Sequence, residues 1–149
     1  MKTLNVGSFA SNIVSAKQAL IICLTILAEF NSKTYSFYNN KEIFKKIYSN
    51  AELSPKETAS LDSILGGMIK KINRYAPPFT FFGYHPTDHT ILGVWLDLLA
   101  LHKGEEKGSL TQISKDSWRG LKCTYILDIG KAGITLYHRR DKKIIWAML

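Results

Sequence analysis

Two short stretches concentrate side chains capable of chemistry. In "HPTDH", His85 and His89 flank Asp88, a set that could hold a divalent metal or trade protons if a helix fixed its geometry, with His138 as a more distant recruit. A turn containing Pro86 fixes no such geometry, no Glu or Cys stands beside it to complete a ligand set, and no nucleophile motif occurs along the chain. The "GKAG" of residues 130–133 lacks the spacing and the following helix of a phosphate-binding loop. The expectation is therefore a protein without catalysis, metal or cofactor.

The second stretch is "YHRRDKK", where Arg139, Arg140, Lys142 and Lys143 crowd a turn beside Tyr137. Cations next to an aromatic ring suit phosphate contact and base stacking. The whole chain shares this bias: 149 residues carry 20 Lys and Arg against 12 Asp and Glu, a formal net charge of +8, and residues 119–149 alone contribute +5 of it. Polyanionic partners come first for such a chain, and nucleic acid is favoured over membrane because the cations are not interleaved with an exposed apolar helix face.

Hydrophobic content of 46% is enough for a real core in one domain or one domain with an appendage. The longest apolar run, "ALIICLTILA" at 19–28, falls short of the roughly 20 residues that cross a bilayer. The polar lead "MKTLNVGSFASNIVSAKQ" lacks the build of a signal peptide, so a cytoplasmic, unprocessed chain is expected. Cys23 and Cys123 match no zinc or redox spacing and read as buried small hydrophobes.

The elements that must position the basic groups follow from pattern. Residues 1–11 offer a short strand through Leu4 and Val6. Ser15 with Gln18 forms a capping box for a buried helix to Phe30. In "NSKTYSFYNN" Tyr35 and Phe37 alternate with Thr34 and Ser36 in the period of a short strand, and Asn39 with Glu42 then caps a helix of about ten residues. The firmest start is "SPKE": Ser54 at the N-cap, Pro55 at the first helical position, Glu57 at the third. At 100° per residue, Leu61, Ile64, Leu65, Met68, Ile69, Ile72 and Tyr75 share one face, and Lys56, Ser60, Ser63, Gly67, Lys70 and Arg74 the other. "FTFFGYHPTDHTILGVWL" reads as a hairpin with its turn at "HPTDH", "LDLLALHK" as the end of that strand or a short helix, "SKDSW" as a helix segment or loop with Trp118 as a core anchor, and the tail as three strands, "LKCTYILD", "GITLYHR" and "KKIIWAML".

Helix, short strand, short helix, capped helix and hairpin within residues 15–97 resemble, in that order, the winged helix-turn-helix family. The resemblance rests on the order of elements. It implies that the helix starting at Pro55 enters the major groove and that the "HPTDH" tip touches backbone or minor groove. The expected fold is α+β: a winged helix-turn-helix-like module at 1–103, a linker at 104–109 ("GEEKGS"), and a small antiparallel β-rich basic subdomain at 110–149, docked on the first module or on a second copy.

The expected function is regulatory, non-enzymatic binding of nucleic acid, duplex DNA in preference. Lys56, Ser60, Ser63, Lys70, Lys71 and Arg74 would contact it from the helix, and Arg139, Arg140, Lys142 and Lys143 from the tail hairpin. Asp88 at the wing tip and the lack of arginine in the first half of the helix leave an alternative, a small basic module that docks on a larger protein complex. A homodimer stays open as well.

Overall fold

The computed structural model describes residues 3–113, 120–131 and 133–148. Ser15 opens the first helix, α1 (Ala16–Phe30), its hydroxyl accepting the Gln18 amide at 3.3 Å. The reciprocal bond reaches one residue further back than a capping box requires, with Gln18 Oε1 accepting the Val14 amide at 2.8 Å. Leu20, Cys23, Leu24 and Leu27 bury one side of this helix completely.

The next element corrects the sequence reading. Residues 34–37 lie in a helix, α2 (Ser32–Asn39), because Asn31 Oδ1 accepts the Thr34 amide at 2.9 Å and caps it, and because Tyr38 turns inward. Asn39 ends α2 instead of capping its successor; α3 (Glu42–Tyr48) starts after Lys41 with no side-chain cap and buries Ile43, Phe44 and Ile47. The capped helix, α4 (Pro55–Ile72), begins as its local chemistry dictates: Ser54 accepts the Glu57 amide and Glu57 Oε2 accepts the Ser54 amide at 2.8 Å. Leu61, Leu65, Met68 and Ile72 are buried on the face expected, with α4 packed along α1. Each such side chain is worth about 1.5–3 kcal/mol on burial. A 3-10 turn (Asn73–Tyr75) then ends the helical run.

Three strands form one sheet in the order β1-β3-β2: β1 (Gly7–Ala10), β2 (Thr80–Tyr84) and β3 (Leu92–Leu96). The hairpin is where the alternation put it, whereas the leading strand starts at Gly7 rather than running through Leu4 and Val6. Asp97 Oδ1 accepts the Ala100 amide at 2.9 Å and starts α5 (Leu98–Glu106). A four-stranded sheet follows in the order β4-β5-β6-β7: β4 (Leu110–Ile113), β5 (Tyr125–Gly130), β6 (Gly133–His138) and β7 (Lys143–Met148). It is mixed rather than antiparallel, since β4 pairs parallel to β5 with Leu110 opposite Tyr125. Eleven residues lie between Ile113 and Tyr125, close to the dozen or so that such a return takes. "SKDSW", Trp118 and Arg119 lie outside the described residues.

The fold is α+β, in two compact units. One holds Ser8–Tyr75 and Phe82–Gly93; the other holds Thr3–Gly7, Ala76–Phe81 and Val94–Leu149. The boundary expected at 104–109 falls inside the second unit. Residues 104–106 finish α5, and Gly104 is buried where an added Cβ would meet the Phe79 ring at 2.7 Å. The core of this unit is Leu101, Leu110, Leu127, Leu136 and Trp146, with Val6, Phe79 and Tyr125 packed on it and the Trp146 indole donating to the Pro78 carbonyl at 3.0 Å. The three tail strands therefore draw their core from α5, β4 and two earlier segments.

Cys23 and Cys123 are free and buried, and burial pushes the Cys23 thiol up to about 12. Among the described residues no helix is long and apolar enough to cross a membrane.

Candidate nucleic-acid interface

In the second unit the site grows out of strand register. β5 and β6 turn at Gly130 and Gly133, which face each other, and counting back along the ladder sets Tyr125 opposite His138. Residues just before β5 therefore meet residues just after β6: the Arg139 amide donates to the Thr124 carbonyl at 3.0 Å and Arg139 Nε donates to the Cys123 carbonyl at 2.7 Å. Lys122, Cys123, Thr124, His138, Arg139 and Arg140 line a pocket of about 260 Å³ there. Arg139 is half-buried and pinned through its Nε, while Lys122 and Arg140 are exposed.

The turn from β6 to β7 adds Lys142 and Lys143, exposed, with Lys142 at a φ of 55° in the left-handed region. Asp141 is the acid of this turn, and its carboxylate, though exposed, is bonded within the turn. It accepts His138 Nδ1 at 2.8 Å and the Lys143 amide at 3.2 Å. Those two bonds, His138 first, hold the Asp141 carboxyl below the ordinary range. The turn thus gathers four of the residues singled out from sequence, Arg139, Arg140, Lys142 and Lys143, around one internally bonded carboxylate. Sequence reasoning missed Lys122 and His138 as neighbours of Arg139. The signal was available, because the "IGKAG" turn between two alternating strands fixes the register that pairs them.

In the first unit α4 divides the remaining six. Lys56, Ser63, Lys70 and Arg74 are exposed, as an outward stripe requires. Ser60 is half-buried and its hydroxyl donates to the Glu57 carbonyl at 2.7 Å. Lys71 is half-buried and lines a groove with α2. The start of α4 also carries acid. Glu57 accepts Lys46 Nζ at 2.8 and 3.0 Å, and Asp62 is exposed. The Lys46 bonds, with help from Ser54, pull the Glu57 carboxyl down to about 2. Positive charge on this helix is therefore concentrated at its last turn and beyond, in Lys70, Lys71 and Arg74, where it also complements the helix dipole.

The "HPTDH" tip is occupied with its own geometry: Asp88 accepts the Thr90 amide and hydroxyl at 2.9 and 2.6 Å, and His85 Nδ1 accepts the Thr87 amide at 3.3 Å. Compared with protein-family models, with characterised proteins and with solved structures, the chain has no match.

Proposed function

We propose that the protein binds nucleic acid, duplex DNA in preference, through phosphate contacts and without catalysing a reaction. The observation that carries this reading is the pocket of Lys122, His138, Arg139 and Arg140 beside the exposed Lys142 and Lys143, with Asp141 bonded to His138 and the Lys143 amide within the turn. Arg139 is pre-organised by its bond to the Cys123 carbonyl, so a phosphate entering the pocket meets a fixed guanidinium and loses little entropy to ordering it.

A second contact set on the other unit is the stripe of Lys56, Ser63 and Lys70 on α4 with Arg74 in the 3-10 turn that follows. The succession of α4 and the β2–β3 hairpin supports the winged helix-turn-helix likeness and, with it, a role for this helix against a duplex. Since α2 stands where that likeness called for a strand, and the sheet takes its third strand from β1, the likeness supports the use of α4 and the hairpin rather than the whole arrangement. A regulatory role in the cytoplasm belongs to the same proposal.

The test is fluorescence anisotropy of the full chain with random-sequence duplex DNA at about 50 and about 200 mM salt. Saturable binding that weakens steeply with salt supports the reading; absence of binding at the lower salt defeats it. The protein-binding alternative is favoured by one observation, the adjacent Leu98 and Leu99 at the start of α5, 74% and 62% exposed. It predicts a stoichiometric protein partner whose capture is lost in a Leu98→Ser, Leu99→Ser variant.

A further inference from the structure

The helix that replaced the expected strand creates a surface unforeseen from the alternation of residues 34–37. On α2, Lys33 and Phe37 stand one turn apart on the same face. Phe37 is 61% exposed. It is not a loose side chain: the Tyr38 ring meets it edge-on at 5.1 Å and 79°, and Lys41 Nζ lies 4.6 Å from its centroid. Lys33, Thr34, Phe37, Tyr38 and Lys71 line a groove of about 270 Å³ between α2 and α4. Tyr38 itself is anchored in the core with its hydroxyl against Gly67 of α4.

Charge decides what suits this groove. Lys41 lies over the ring and Lys33 and Lys71 line the groove with it, and among the described residues no carboxylate pairs with any of the three; the lysines that do find acids, Lys45 with Glu42 and Lys46 with Glu57, are different ones. An aromatic face among unneutralised cations complements a ligand that is flat, apolar on its face and anionic along its edge. An unpaired nucleotide fits that description. A duplex keeps its base faces stacked and hidden, so a ring placed this way is of use only to a base outside the stack.

We propose that the α2–α4 groove binds single-stranded nucleic acid, with one unpaired base stacked on Phe37 and the adjoining phosphates held by Lys33, Lys41 and Lys71. The Lys41 ammonium, at the end of a flexible four-carbon stem, exchanges its ring contact for a phosphate as the base arrives. This inference rests on the nucleic-acid reading above only for the ligand class. It lies on different residues and predicts a different preferred substrate.

The experiment uses the full chain and four probes: an oligothymidylate of about 12 nucleotides, an abasic sugar-phosphate oligomer of the same length, random duplex DNA, and polyglutamate. Phe37→Ala should weaken oligothymidylate binding about tenfold, the loss typical of removing one stacking partner, while leaving abasic and duplex binding unchanged. Phe37→Trp should retain the affinity, and Lys33→Ala with Lys71→Ala should weaken both single-stranded probes and reduce their salt dependence. Because Phe37 is exposed, the Phe37 variants should keep the parent's thermal midpoint. Oligothymidylate binding that Phe37→Ala leaves within about twofold overturns the proposal. So does an equal Phe37-dependent binding of polyglutamate, which would make the groove a protein site. Loss of duplex binding with the Phe37 effect intact defeats the duplex reading alone; duplex binding with no Phe37 effect defeats this one alone.

Discussion

Asn73 and Phe82 are joined through the side-chain amide of one and the main chain of the other. Asn73 Nδ2 donates to the Phe82 carbonyl at 2.8 Å, and its Oδ1 accepts the Phe82 amide at 2.8 Å. The second Nδ2 proton serves the Ile69 carbonyl at 3.0 Å in the last turn of α4. β2 is an edge strand in the order β1-β3-β2, so one side chain at the end of α4 supplies the partner that a further strand would have supplied.

Asn73→Ala should destabilise the protein by about 2–4 kcal/mol, because Phe82 is 1% exposed and both of its main-chain polar groups lose their partner. Asn73→Asp should be at least as harmful: it keeps the acceptor for the Phe82 amide but turns a carboxylate toward two carbonyls. Urea denaturation of both variants checks this, and a loss below about 0.5 kcal/mol for Asn73→Ala would refute the pairing.

Acid should weaken the junction of α3 and α4 through Glu57. Its carboxyl sits at about 2 in the folded chain, against an ordinary value of 4.5, because Lys46 and then Ser54 donate to the carboxylate. A depressed folded value means that the contribution is fully present above about 4.5 and is lost as pH falls toward 2. Glu57→Gln should therefore lower the thermal midpoint at pH 7 and lose its difference from the parent near pH 2. A difference that persists undiminished at the acid end would show that the bond owes nothing to charge.

How much of this was legible in the sequence depended on whether the deciding interaction was local. Ser54, Pro55 and Glu57 fix the start of α4 within four residues, and the structure has it there. Residues 34–37 satisfy a strand period and a helix period equally over so short a span; Asn31 as cap and Tyr38 as core anchor decide it, and the second of these is tertiary. Gly104 resembles a linker residue by type. It is glycine because the Phe79 ring fills the space a side chain would need. The basic tail turn was visible as composition, its pocket with Lys122 only through register, and the Phe37 groove only once α2 was a helix.

The glycine pair in α4 should separate into a dispensable and a useful member. An added Cβ at Gly66 meets nothing within 4 Å, so Gly66→Ala should stabilise by about 1 kcal/mol through helix propensity. At Gly67 the same atom would lie 3.2 Å from the Tyr38 hydroxyl. Gly67→Ala should gain less or lose, and Tyr38→Phe should recover part of the gain in the double variant. Equal stabilisation by both alanines in chemical denaturation would show that the close approach of α2 to α4 is without consequence.

The tail turn gives the sharpest test of the phosphate reading, because two changes of opposite electrostatic sense must act in opposite directions. Replacing Arg139, Arg140, Lys142 and Lys143 with alanine should weaken duplex binding and flatten the dependence of log K on log salt by about 0.9 for each phosphate no longer neutralised. Asp141→Asn removes the negative charge while leaving an oxygen to accept the Lys143 amide. It should tighten binding several-fold at about 50 mM salt and by less at about 200 mM, where screening is stronger. A structural role for the turn cannot produce that pair of results, since damage to the Asp141 bonds would weaken binding along with the alanine changes. If Asp141→Asn weakens binding while the thermal midpoint holds, the turn does not face phosphate, and the duplex must instead be held by Lys70 and Arg74 at the end of α4.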